Sequence, residues 1–143
     1  MFHWIDVFHT GYNLDSLWRY GRSSGDQAFD QSLQKGYAYF RTNFFEPSGR
    51  VKYYGHKATP TDIQCASQAI DTLLLFSDHD REGVGVARRI ALWYAQRMQG
   101  KDGHFYFRRY PAGIANTAAM IHWGQATMYK ALAHLSLHDL DMT

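Results

Sequence analysis

Two side chains here have the types needed to move a proton to or from a substrate: Asp62, at the start of a helix-forming run, and His9, in a polar stretch near the beginning of the chain. A carboxyl group and an imidazole can act as general acid and base. Two carboxylates about 5 Å apart, or about 6.5 to 9.5 Å apart, are the pairs that cleave glycosidic bonds with retention or inversion. Asp6 and Asp15 are the other acids expected near the same end. Asp62 follows Pro60 and Thr61 directly, so it serves equally well as a helix N-cap. His9 could instead bind a sugar hydroxyl or lock its own loop. Lys57, Arg108 and Arg109 have the charge to hold a uronate carboxylate or a phosphate. Three amides, Asn13, Gln68 and Gln125, stand at matching helix positions, with His122 beside the last. Such amides either bind ligand or tie adjacent helices together.

These residues need a scaffold, and the chain repeats one. A polar loop, a helix opening on an amide, a second helix and an aromatic turn with glycine return about every 55 residues; Gly49 and Gly103 mark the turns. A period of this size signals a stacked array. Apolar spacing predicts helices over Tyr12–Tyr20, Asp26–Asn43, Ile63–Phe76, Val84–Met98 and Ile121–Leu137. Asp26 is placed to cap the second, and the Ser77–Asp80 stretch to open the fourth. The segments Phe44–Tyr54 and Gly100–Phe107 read as two-stranded β-ribbons. The predicted class is therefore all-α, a single domain over 1–143 built from αα-hairpins with short ribbons between them. Parallel stacking of the hairpins puts the loops before the odd-numbered helices, Asp6–Gly11, His56–Asp62 and Arg108–Thr117, at one end.

Composition narrows the function classes. The net charge of +2 is small, and the basic residues of the second unit are scattered, which argues against a nucleic-acid partner. No apolar run approaches the roughly 20 residues of a membrane span, and the Met1–Asp6 start lacks the basic and apolar parts of a signal peptide. A cytoplasmic protein with no membrane partner is expected. The eight histidines show no zinc-binding spacing, and the lone Cys65 falls inside a helix as a small core residue. No metal and no cofactor are expected. Aromatic residues are abundant, 23 of 143, and many fall in the ribbons. They either pack the ribbons onto helices or stack on sugar rings.

The run Phe8–Leu14 ahead of an inner helix, the ribbon residues Phe44, Phe45, Gly49 and Lys52–Tyr54, and the stretches Thr61–Ile63 and Ala66–Ile70 together resemble the six-hairpin (α/α) toroid superfamily. That group includes glycosidases, polysaccharide lyases, sugar epimerases and proteins linked to polysaccharide synthesis. The resemblance implies an inner ring of odd helices, an outer ring of even ones, and a cavity whose mouth carries the loops. It implies a carbohydrate-related protein that binds a sugar or polysaccharide there, with Asp62 and His9 as the catalytic candidates and Asn13, Lys57, Gln68, Arg109, His122 and Gln125 as substrate contacts. A glycosidase or epimerase would find its catalytic set incomplete in this chain. Five helices make less than half of a closed ring of about twelve, so the resemblance is to a C-terminal portion, an incomplete toroid. Either a missing N-terminal half or further copies in a homo-oligomer would complete the ring. The alternative is a non-catalytic helical scaffold or protein-interaction module.

Overall fold

The computed structural model describes residues 4–141; the first three residues of the Met1–Asp6 start and the last two of the chain lie outside them. Five α-helices dominate: α1 (Val7–Ser24), α2 (Asp30–Asn43), α3 (Ile63–Leu75), α4 (Arg81–Met98) and α5 (Thr127–Asp141). Strands β1 (Thr61–Asp62), β2 (Arg108–Arg109) and β3 (Ala115–Asn116) form a small antiparallel sheet in the order β1-β2-β3. Thr61 pairs with Arg109 and Asp62 with Arg108, while Arg108 faces Asn116 and Arg109 faces Ala115. A π-helical turn over Ile121–Ala126 leads into α5.

The mostly helical class agrees with the sequence, and the three-stranded sheet corrects it. The sheet's strands are only two residues long, so no alternation of polar and apolar residues announces them. The ribbons are short: Phe45 bridges Val51, and Gln99 bridges Phe105. Their aromatic residues mostly pack. Phe44 and Phe105 are buried in the core, and Phe45 meets Phe40 edge-on at 5.1 Å.

Helix boundaries moved for identifiable reasons. Sequence placed Asp6–Gly11 in a loop, but Asp6 is the N-cap of α1, its carboxylate accepting from His9 N at 2.8 Å, and the helix runs on through Gly11 and Gly21. The helix stops at Gly25, which takes the left-handed conformation (φ 71°) and returns its N–H to Gly21 O at 2.9 Å. Asp26 does not cap α2. Its side chain accepts from Ala28 N and from the Tyr20 hydroxyl, both at 2.9 Å, and α2 begins four residues later with no side-chain cap. Asp80 does cap α4, which starts at Arg81. The same carboxylate accepts from the Tyr37 hydroxyl at 2.9 Å and pairs with Arg41, so the cap also fastens α2 to α4. Burial works against the charge of Asp80, yet these donors together hold its pKa below the usual carboxylate range.

α3 lies at the centre and touches α1, α4 and α5. Every residue from Ile63 to Leu74 is buried. Ile70 and Leu73 of α3 share the core with Phe40, Ile90, Tyr94, Met98 and Met128, each fully buried apolar side chain contributing about 1.5 to 3 kcal/mol. Contacts fix the directions. Gln64 meets Tyr12 and Thr72 meets Asp15, while Ile63 lies by Gly124 and Asp71 by His134, so α1, α3 and α5 run the same way. Gly11 sets the α1–α3 spacing, because a Cβ there would stand 2.7 Å from Gln68 Cγ and 2.9 Å from Thr72 Oγ1. Gly11→Ala is expected to cost about 1 to 3 kcal/mol, read as a lower urea midpoint, since Gln68 and Thr72 must shift from their bonds to Asp15 or the helices must part.

Candidate ligand-binding face

At the loop end the structure brings the three expected loops together through backbone pairing. Tyr54 bridges both Asp6 and Lys57, Val7 N donates to Tyr53 O at 3.1 Å, and β1 pairs with β2. The side chains these loops supply are largely committed to the fold. Asp62 is only 1% exposed; one oxygen accepts from Gln64 N at 2.8 Å as the N-cap of α3, and the other pairs with Arg108 Nε. Arg108 in turn lies over the rings of Phe107 (4.7 Å) and Tyr53 (5.6 Å). Partial burial opposes its charge, but the contact with Asp62 prevails and its pKa is raised.

His9 stands 69% exposed, and its Nδ1 is 2.7 Å from the same Asp6 carboxylate that caps α1. No hydrogen bond joins His9 to Asp62, so the two candidate proton-transfer groups do not form a pair. Arg109 is exposed and donates to Arg97 O at 2.8 Å. Asn13, Lys57 and His122 are exposed at or near this end.

The three amides occupy different situations. Gln125 clamps the second ribbon: its Oε1 accepts from Phe105 N at 2.9 Å and its Nε2 donates to Phe105 O at 2.7 Å. Gln68 is buried, and its Nε2 donates to Asp15 Oδ2 at 2.9 Å and to Thr72 Oγ1 at 3.0 Å. Asn13 faces solvent.

Gln68 belongs to a polar row that crosses three helices below the loops. From α1 come Tyr12 and Asp15; from α3, Gln64, Gln68, Asp71 and Thr72; from α5, Lys130 and His134. Gln64 Nε2 donates to the Tyr12 hydroxyl at 3.2 Å, and Thr72 Oγ1 donates to Asp15 Oδ1 at 2.8 Å. Asp71, buried on α3, has Lys130 Nζ at 2.9 Å and His134 Nδ1 at 3.2 Å. The helical spacing of Gln64, Gln68 and Asp71 puts all three on one face of α3, and that of Lys130 and His134 does the same on α5. Sequence reading named Asp15 and Gln68 but missed Asp71 and Lys130. The available signal was a line of polar residues at helical spacing inside an otherwise apolar helix.

Chemically, this row offers two carboxylates amid amide, hydroxyl and imidazole groups and the ammonium of Lys130. Burial pushes the Asp15 carboxyl above the usual range, the neighbouring charge of Asp71 adds to this, and the Thr72 and Gln68 donors partly offset it. Because the folded pKa lies above the unfolded one, the contribution of Asp15 to stability is fully present below the unfolded pKa. It is lost as pH rises through the folded value. Asp15→Asn is therefore expected to remove one component of stability that declines as pH rises above the ordinary carboxylate value of about 4. The check is the difference in urea midpoint between the two proteins as pH is raised through and beyond that value.

Among the described residues no group of three or more His, Cys, Asp or Glu side chains could hold a metal ion. No described helix is long and apolar enough to cross a membrane. Compared with protein-family models, curated proteins and solved structures, the chain finds no match.

Proposed function

We propose that this chain is an arc of αα-hairpins of the (α/α) toroid kind that binds a carbohydrate along its inner helices, without using Asp62 or His9 as catalysts. The observation that carries the reading is the polar row across α1, α3 and α5. The exposed members of the row, Tyr12, Lys130 and His134, suit the C–H face and the hydroxyls of a sugar, and the buried Gln64, Gln68 and Asp71 hold them in place. The commitment of Asp62 and Asp6 to helix caps favours binding over hydrolysis. The exposed Asn13, Lys57 and His122 would extend the contact towards the loop end. The same proposal carries the cytoplasmic location.

The test is calorimetric titration of the full chain with neutral glucan and polyuronate oligosaccharides. One of them is expected to bind, and Asp71→Asn, which loosens the hold on Lys130 and His134, is expected to weaken it about tenfold. Failure of both ligands, or binding indifferent to Asp71→Asn in a folded variant, would sink the proposal.

A second reading, a protein-interaction module, has its own support. α5 exposes Tyr129 and Leu137 on one stripe, with Ile121 and Trp123 exposed just before it, and Tyr20 and Phe29 are exposed at the α1–α2 connection. Further hairpins, from another copy or from additional chain, would cover such flanks in a toroid. Light scattering of a strictly monomeric protein at high concentration would count against self-assembly.

A further inference from the structure

The imidazole of His104 stands between two groups that can only accept a hydrogen bond. His104 follows the Gly103 turn of the second ribbon, with 28% of its side chain exposed. Its Nδ1 is 2.6 Å from Asp102 Oδ1, and its Nε2 is 2.9 Å from the carbonyl oxygen of Thr117, on the stretch between β3 and the π-helical turn. Some loss of hydration works against the charge of Asp102, yet the bond from His104 and the nearby backbone N–H groups hold its pKa below the usual carboxylate range. The carboxylate is therefore ionised and, like the carbonyl, has no hydrogen to give. A neutral imidazole has one N–H and one lone pair, so it can serve only one of these acceptors and must set its lone pair against the other. Both bonds form together only when the ring carries both hydrogens.

What the Thr117 bond holds is lightly attached. Thr117 ends the third of the loops gathered at the loop end, and residues 117–120 are all exposed. Asn116 Oδ1 accepts from Ala118 N at 3.0 Å inside the stretch, and Met120 O accepts from Gly124 N at 2.9 Å where the π-helical turn begins. Among the described residues, no other side chain outside 116–120 hydrogen-bonds to Thr117, Ala118 or Ala119. Few titratable groups surround the ring. Asp102 faces one side, with Lys101 exposed in the same turn, and the Tyr106 ring stands edge-on at 5.5 Å. On the other side Asn116, Thr117, Ala118 and Ala119 carry no charge.

We propose that His104 is a proton-operated latch that fastens the end of the third loop to the second ribbon. With both ring nitrogens protonated the latch is closed. On losing a proton, the ring keeps its remaining hydrogen on Nδ1, where the carboxylate makes the stronger, charge-assisted bond, and turns a lone pair towards Thr117 O. The Thr117 bond is the one given up, and residues 117–119 come free of the ribbon. Closing takes up a proton, so the hold is complete at acidic pH and is lost as pH rises, within the span of about pH 5 to 8 where histidine changes charge. The latch needs no ligand and is independent of the polar row proposed above for carbohydrate.

The test is amide hydrogen exchange of the full chain, followed by NMR at about pH 5.5 and about pH 8 and corrected for the direct effect of pH on exchange. The amides of residues 117–119 are expected to lose about fivefold in protection at the higher pH, the loss of one hydrogen bond. Asp102→Ala is the discriminating variant. Without the carboxylate a neutral ring is free to put its single hydrogen on Nε2 and keep Thr117, so protection should no longer depend on pH. His104→Phe, which has no N–H to offer, should leave these amides as poorly protected at the lower pH as the native chain is at the higher. Equal protection at both pH values in the native chain overturns the proposal. So does a pH dependence that survives Asp102→Ala unchanged, or a His104→Phe chain as well protected as the native one at the lower pH. The Asp102 side chain is 70% exposed, so its variant decides the matter even where His104→Phe does not fold.

Discussion

Gly49→Ala is expected to destabilise the protein by about 3 to 5 kcal/mol, the largest effect of any glycine-to-alanine change in this fold. Gly49 has φ 94°, which an L side chain rarely adopts, and its Cβ would fall 2.4 Å from Arg89 O and 2.7 Å from Arg89 C. The obstacle is the backbone of α4, which cannot rotate away as a side chain would. Relief requires lifting the first ribbon off the helix, and with it Phe44 and Val51, both fully buried. Gly103, at the matching place in the second ribbon, has φ 91° but nothing within 4 Å of a Cβ. Gly103→Ala should therefore cost only the backbone strain, about 1 to 2 kcal/mol. Urea unfolding of the two variants side by side checks both numbers, and equal losses would refute the seating of Gly49 on α4.

Asp62→Ala is expected to cost about 3 kcal/mol. The substitution removes the cap of α3, about 1 kcal/mol by itself, and leaves Arg108 beside apolar rings without its partner. Breaking a buried pair in this way costs about 3 to 5 kcal/mol. Arg108 keeps 28% of its side chain exposed, which places the total at the lower end. Asp62→Asn retains an oxygen for Gln64 N and should cost about half as much. A catalytic Asp62 would behave differently, with activity falling while the melting temperature stayed; a stability loss of the predicted size and order identifies the carboxylate as part of the frame.

The five helices were legible because their apolar residues recur at helical spacing over a dozen or more positions. Their ends were less so. Gly11 and Gly21 read as breakers, yet both lie inside α1, where Gly11 serves close contact with α3 rather than a turn. Asp26 has the sequence of a cap and closes a turn instead. The convergence of the loops before α1, α3 and α5 followed from stacking alone, whereas the sheet that joins two of them did not, because two-residue strands have no period. The polar row was hardest to read. Its bonds join Gln68 to Asp15, Thr72 to Asp15 and His134 to Asp71 across 53, 57 and 63 residues, and nothing local to any of these residues reveals its partner.

The clamp that Gln125 places on Phe105 has a consequence for how such a chain can drift over generations. One carboxamide there both gives and takes at a single peptide unit, and no other side chain repeats that act from the same place. Glutamate has no hydrogen to give at neutral pH, asparagine is one methylene short, and lysine cannot accept. The position therefore has no neighbour one substitution away that preserves both bonds, and descendants should keep the glutamine for as long as they keep the ribbon, and abandon the two together.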